Sequence, residues 1–306
     1  MSHAAPAIPL PDHLVPFLFE GADVRGAFVS LDTTWREVLA RRDYAPPVRA
    51  LLGEAMAAGA LLAANLKAAG TLVLQTQSTD PQAPVRLMVV ECSANLDMRA
   101  TAKLGAALAP GDDTPDLAQL TGDARLVVTL DPRDGREAYQ GVVPLTGTAL
   151  GPALEHYMQT SEQVDSVLVL GADATRAAGL LLQRLPIEGG AGDVVSRWDE
   201  ARALAATLGR SELLAADAMT LARRLFHAID LRVFRERPAR FACRCSRARV
   251  ADMLRMLGAE EVSAVVAEQG QVAVDCEFCG RGYSFDAVDA AQLFAPPAGP
   301  ASTARH

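Results

Sequence analysis

Cys243-Arg-Cys-Ser-Arg-Ala-Arg-Val250 and, with thirty residues between Cys245 and Cys276, Cys276-Glu-Phe-Cys-Gly280 are the stretches that decide how this chain is organised. Four of its five cysteines lie here, and Cys92 stands alone upstream. Disulfide scaffolds are usually short secreted chains with dispersed cysteines, whereas a cluster in a cytosolic chain argues for a metal or redox site. Four thiolates, Cys243, Cys245, Cys276 and Cys279, can close a tetrahedral zinc site with Zn–S near ~2.3 Å, one Zn2+ per chain in the reduced state. Gly280 directly after Cys279 suits the sharp turn of a zinc knuckle, which points backbone N–H groups at sulfur. Small modules with few large apolar residues need a staple of this kind. A four-sulfur shell leaves no open position for a catalytic water, and no His-x-Glu precedes either pair. A zinc hydrolase or deaminase is therefore disfavoured.

The same spacing also suits an inert structural ribbon that contacts RNA or a partner protein. Two features favour redox activity instead. Structural ribbons usually use two x-x spaced pairs, and a disulfide within Cys-x-Cys closes a small strained ring with a labile potential. Arg240, Arg244, Arg247 and Arg249 flank the first pair, and positive charge favours thiolate. Those arginines equally fit a solvated helix face. A thioredoxin-like site needs a helix after Cys276-x-x-Cys279, which Gly280-Arg-Gly282 opposes.

Around the cysteines, Ser246 caps an expected helix carrying Val250, Met253, Leu254 and Leu257, and Gly258 stops it. A helix over Glu260 to Glu268, strands at Val272–Asp275 and Tyr283–Phe285, and a helix capped by Asp286 complete the module. Upstream, Trp198, Ala201, Ala205 and Leu208 form one helical stripe. Leu214, Ala218, Leu221 and Leu225 form another, with Gly209 between them and Ser211 as a cap. Two helices of ~15 residues are marginal alone, which makes Val194 to Leu225 a candidate for conditional folding. Gly189-Gly-Ala-Gly-Asp193 reads as a joint.

Before that joint the signals are mixed. Asp32 or Thr33 caps a helix through Trp35, Val38 and Leu39. Pro46 and Pro47 open a helix from Val48 to Lys67 that is apolar nearly all round and so expected to be buried. Strands are expected around Leu72–Thr76, Val85–Glu91, Arg125–Leu130, Tyr139–Val143, Ser166–Leu170 and Leu180–Leu185, with a hairpin turn at Asp131–Gly135 and a helix over Pro152 to Glu162. Cys92 reads as a core thiol and His156 as a helix-surface residue. The fold class is α+β: an N-terminal mixed α/β domain, a helical linker domain and a small C-terminal four-cysteine zinc domain.

Composition agrees with a globular chain: 306 residues, 50% hydrophobic and 22% charged. A net charge of −8 argues against general nucleic-acid binding. The longest apolar run, Ala55 to Ala64, falls short of the ~20 residues that span a bilayer. Met1 to Leu10 lacks a basic n-region, so a cytoplasmic address is expected. The only lysines, Lys67 and Lys103, lie outside any P-loop pattern, and no Gly-x-Gly-x-x-Gly or Gly-x-Ser-x-Gly is present. The expectation is a binding protein and not an enzyme.

Phe17-Leu-Phe-Glu20 followed by Val24-Arg-Gly26, Tyr139-Gln-Gly-Val-Val143, Ser161-Glu-Gln163, Gly179-Leu-Leu-Leu-Gln183 and the four clustered cysteines together resemble the redox-regulated 33-kDa heat-shock protein family, bacterial holdase chaperones. The resemblance runs from Val15 to about Leu293. It implies an N-terminal domain (1–188) that binds unfolded client proteins and mediates homodimerisation when oxidised, a helical linker (189–239) that covers part of that surface, a zinc redox-switch domain (240–295) and a disordered tail (296–306). It implies that Cys243, Cys245, Cys276 and Cys279 hold zinc when reduced, and that oxidation pairs Cys243 with Cys245 and Cys276 with Cys279, releasing zinc and activating an ATP-independent chaperone. The zinc domain and the N-terminal domain are expected to support the linker helices together.

Overall fold

The computed structural model describes residues 12–66, 70–108, 115–133, 135–186 and 195–295. Two runs that the sequence left unassigned form its first hairpin, β1 (His13–Phe19) and β2 (Val24–Leu31). Helices α1 (Thr33–Leu39) and α2 (Pro46–Ala63) follow. Asp32 occupies the N-cap position of α1 without capping through its side chain. The Asp12 carboxylate does this instead, accepting from the N–H groups of Asp32, Thr33 and Thr34. The α2 helix ends at Ala63, short of the expected Lys67, which lies outside the described residues.

A meander comes next: β3 (Thr71–Ser78), β4 (Val85–Ser93) and β5 (Asp97–Leu104), then the short α3 (Leu117–Thr121) and the hairpin β6 (Ala124–Asp131) and β7 (Tyr139–Pro144). Helix α4 (Leu150–Ser161) leads to the hairpin β8 (Ser166–Ala172) and β9 (Ala177–Arg184). The expected joint at 189–193 lies outside the described residues, as does the tail 296–306. Three helices then follow where two were expected: α5 (Trp198–Ala205), α6 (Arg210–Ala215) and α7 (Ala218–Leu225). The second apolar stripe is split because Asp217 takes an extended conformation and caps α7 through Thr220 N–H, so a new helix starts there. Ser211 lies inside α6, behind Gly209 at the N-cap. Short strands β10 (Leu231–Val233), β11 (Arg237–Pro238) and β12 (Arg240–Phe241) return to the sheets.

Two six-stranded sheets result. One runs β10-β1-β2-β9-β8, with β11 also on β1, and the other runs β12-β5-β4-β3-β6-β7. Helix α2 lies against both, contacting β2, β8 and β9 of the first and β3, β4 and β5 of the second. Its Ala- and Gly-rich sequence makes this possible: thirteen of its eighteen residues are buried, among them Gly53, Ala55, Ala57, Ala58, Gly59, Ala60 and Ala63. Small side chains let two sheets close on one helix without voids. The main core forms here, around Trp35, Leu52, Met56 and Leu61. As expected, Cys92 lies in this core, fully buried, and His156 is exposed on α4.

The first sheet has a second apolar face. Val15, Phe17, Phe19, Val24, Phe28, Leu180 and Leu182 form it, and Trp198, Leu208, Leu213, Leu221, Leu225 and Phe226 cover it. Phe17 packs between Phe28 (ring centroids 5.3 Å apart) and Phe226 (5.7 Å). Polar ties hold the cover at its edges. Buried Asp23 accepts from Arg197 N–H (2.9 Å), Ser196 Oγ (2.9 Å) and Arg184 Nε (3.1 Å). Burial opposes its ionisation, yet these donors outweigh burial and hold the carboxyl below its ordinary range. Arg210 donates to Ala172 O and Arg176 to Leu214 O, pinning α6 to the β8–β9 turn.

The chain divides into two compact units between Ala242 and Cys243. The second unit contains α8 (Arg247–Leu257), α9 (Ala259–Gln269), the hairpin β13 (Gln271–Asp275) and β14 (Gly282–Asp286), and α10 (Ala287–Leu293). Ser246 caps α8 and Asp286 caps α10, as expected. Its core is small: Ala251, Leu254, Val262, Val272, Phe285 and Ala290. The fold class is thus α+β, with a mixed body, a helical stretch and a small four-cysteine module.

Gly26 tests the packing of the covered face. A Cβ there would sit 2.3 Å from the Phe17 ring and 2.8 Å from Leu182. Gly26→Ala is expected to cost about 1–3 kcal/mol through overpacking, read as a fall of several degrees in Tm by calorimetry. An unchanged Tm would show that the aromatic cluster is not tightly packed.

Candidate metal and redox centre

Two local structures deliver the four sulfurs. Cys243 and Cys245 precede the capped start of α8, and Cys276 and Cys279 lie on the turn between β13 and β14. In that turn Gly280 N–H donates to Cys276 O (2.8 Å) and Cys276 N–H to Arg281 O (3.0 Å). Gly280 has φ +69, a left-handed conformation in which a side chain is disfavoured. The turn aims N–H groups of Cys279 and Phe278 at Cys276 Sγ, and that of Arg281 at Cys279 Sγ.

The sulfurs converge. All four lie within 4.8 Å of one another, and among the described residues no other such cluster of cysteine, histidine or acidic ligands occurs. Across the two sequence pairs, Cys243 Sγ lies 3.7 Å from Cys276 Sγ and Cys245 Sγ lies 3.3 Å from Cys279 Sγ. A regular tetrahedron with metal–sulfur bonds of ~2.3 Å has edges of about 3.8 Å, so the donor set fits a tetrahedral ion. All four cysteines are half-buried. Burial pushes the Cys279 thiol up to about 12, against the Arg281 N–H and with the neighbouring thiols of Cys245, Cys243 and Cys276. Burial also raises Cys276. A bound cation inverts this sign, because a coordinating thiol is deprotonated outright.

Two of the four arginines that flank the first pair are held by other groups. Arg240 pairs with Asp97 (2.6 Å) in the first unit. Arg247 donates to Ser284 O (2.6 Å) and Asp289 (2.7 Å) and lies over the Phe285 ring. Arg281 interacts with Cys245 and Cys279, and it also bonds the Tyr283 hydroxyl. That hydroxyl lies 3.1 Å from Cys245 Sγ. Neither residue carries a sequence signal for this role beyond standing two and four places after Cys279.

The fold and the thiol cluster define a class: an α+β body joined to a small terminal module that carries a candidate metal site. The family model described as "Hsp33 protein" matches residues 12–286. A curated "33 kDa chaperonin" of Methylobacillus flagellatus is 45% identical over 286 residues, covering 93% of this chain and 95% of that one. Another, of Chromobacterium violaceum, is 46% identical over 284 residues, covering 92% and 94%. The crystal structure of the 33 kDa chaperonin from Thermotoga maritima overlays with a TM-score of 0.79 at 20% identity, covering 92% of this chain and 97% of that one, which shows the shared fold. The chain belongs to the Hsp33 family of chaperones. No helix among the described residues is long and apolar enough to cross a membrane.

Cys92 differs in kind from the cluster. Burial pushes its thiol to about 12, and it is fully enclosed by the main core. In chelator-treated native protein, iodoacetamide at pH 8 is expected to label Cys243, Cys245, Cys276 and Cys279 but to reach Cys92 only after denaturant is added. Equal labelling of Cys92 in the native state, read by peptide mass mapping, would contradict its placement.

Proposed function

We propose that this chain is a redox-regulated, ATP-independent holdase that binds unfolding proteins and prevents their aggregation under oxidative stress in the cytoplasm. The observation that carries the proposal is the covered apolar face. Seven large apolar side chains of one sheet lie beneath three helices of six to eight residues. Helices so short draw their stability from packing and not from propensity. They form a cover that can be lost without unfolding the main core, and the face beneath is of the kind that binds unfolded chains.

The switch assigned to this cover is the thiol centre. In the reduced state Cys243, Cys245, Cys276 and Cys279 would hold one Zn2+, the metal that four thiolates in tetrahedral array suit best. Bound zinc supplies folding energy to so small a module, on the order of 10–16 kcal/mol of apparent binding in comparable cases. Oxidation by a peroxide takes two electrons from each thiolate pair. Disulfides Cys243–Cys245 and Cys276–Cys279 remove all four donors, so zinc is released. The tetrahedral arrangement and the small apolar core of Ala251, Leu254, Val262, Val272, Phe285 and Ala290 support this reading, since a core of that size needs the staple. The division of labour follows: 1–188 binds clients and dimerises when oxidised, 189–239 is the cover, and 240–295 is the sensor. The chain works by binding and release, with no catalysed reaction.

Aggregation of a heat-unfolded client, followed by light scattering, should be suppressed by the peroxide-oxidised chain and not by the reduced zinc-loaded one, without ATP. Limited proteolysis should cut between residues 195 and 240 after oxidation only. Equal protection by both forms, with zinc retained under peroxide, would instead make the module an inert ribbon that contacts RNA or a protein partner. Protection on oxidation with residues 195–240 still resistant would move the client surface elsewhere.

Cys276→Ser removes one of the four sulfurs. It is expected to lower zinc content well below one per chain on purification and to leave activity independent of oxidant. Full zinc content at native affinity would break the ligand assignment.

A further inference from the structure

We infer that Tyr283 is a positioning residue of the thiol centre: its hydroxyl, backed by Arg281, bonds Cys245 Sγ and sets how firmly that sulfur holds a metal and how fast it meets an oxidant. The inference rests on the metal and redox reading above.

The two cysteine pairs are supported differently. The Cys276-x-x-Cys279-Gly280 turn brings its own backbone donors to sulfur, from Phe278 and Cys279 to Cys276 and from Arg281 to Cys279. Cys243-x-Cys245 is one residue too short to form that turn. Its second sulfur is met from the other local structure by a side chain, the Tyr283 hydroxyl at 3.1 Å. The hairpin register places it there. Tyr283 pairs with Val274, and Asp275 pairs with Gly282, so the tyrosine leaves β14 level with the strand that runs into Cys276. Arg281 stands two residues earlier and bonds the same hydroxyl.

The direction of the relay follows from chemistry. A guanidinium has donors only, so the Arg281–Tyr283 bond uses the tyrosine oxygen as acceptor. The tyrosine proton is then directed to Cys245 Sγ. The result is an ordered series of cation, hydroxyl and sulfur, each bond polarising the next. Groups that bond the ligands of a metal commonly change its affinity by roughly 10–100-fold. The same bond draws charge from the sulfur. Thiolate attack on a hydroperoxide breaks the O–O bond, and the second thiolate closes the S–S bond. Two electrons pass from sulfur to oxygen, and two protons complete the products, two waters when the oxidant is hydrogen peroxide. A sulfur relieved of its donor attacks faster. With a Brønsted slope near ~0.4–0.5, a tenfold change in thiolate stabilisation alters this rate roughly threefold.

The test uses the full-length chain with Co2+ and Zn2+ as probes. Wild type is expected to bind one Co2+ with tetrathiolate absorption bands. Tyr283→Phe keeps the ring, which packs beside the small core of the module. It should retain those bands, lose metal to a competing chelator with roughly tenfold weaker affinity, and release Zn2+ under peroxide roughly threefold faster. Arg281→Gln, at an exposed position, should shift both measures in the same direction by less. Tyr283→Phe with affinity and release rate both as in wild type would overturn the inference while leaving the metal site intact. A wild-type chain that binds no Co2+ would overturn the site and the inference together. If Tyr283→Phe does not fold, Arg281→Gln decides: unchanged retention and release overturn the relay, and a shift in both supports it.

Discussion

Strand β9 is buried along both faces, from Ala177 to Gln183, and this constraint organises the first unit. One face belongs to the main core against α2, and the other to the aromatic cluster beneath α5, α6 and α7. A strand apolar on both faces must be covered twice. The two covers are built differently. Helix α2 has eighteen residues, is made largely of small side chains, and touches both sheets. The outer cover is three short helices tied at the rim by Asp23, Arg210 and Arg176. The same sheet therefore carries one long helix on one face and three short ones on the other.

The second unit solves a different problem with the same economy. Six buried residues make a core too small to carry the unit on apolar burial alone. Capping compensates in part: Ser246 holds the start of α8, and Asp286 with Asp289 forms a capping box on α10. Arg247 joins β14 to α10 through Ser284 O and Asp289. The four sulfurs lie within 4.8 Å of one another, close enough for one ion to bridge them. If these sulfurs hold a metal, as proposed, the folding of the module is coupled to their staying thiolates.

Glycines explain why short motifs in this chain are so recognisable. Gly26 admits the Phe17 ring, Gly141 the Tyr157 ring and Gly179 the Leu61 side chain, each closer than a Cβ would allow. Each belongs to one of the segments on which the family resemblance rests. These segments mark where sheets, helices and aromatic rings meet, which is a packing requirement and not a chemical one.

Much was legible in the sequence because it depends on local spacing. The Cys-x-Cys and Cys-x-x-Cys-Gly pattern, the caps at Ser246 and Asp286, the all-round apolar α2 and the β6–β7 hairpin are properties of neighbouring residues, and the structure has them. What the sequence could not assign was set by partners far away in the chain. Strand β2 lacks simple alternation because both of its faces are covered. The start of α1 is capped by Asp12, twenty residues before its N-cap. Arg281, outside the Arg240–Arg249 run, also reaches the sulfurs once the hairpin has turned. The sequence by itself determined that four sulfurs would meet. Only the tertiary structure decided which faces are covered, by helices how short, and which hydroxyl bonds Cys245, because those contacts join segments whose separation in the chain carries no local signal.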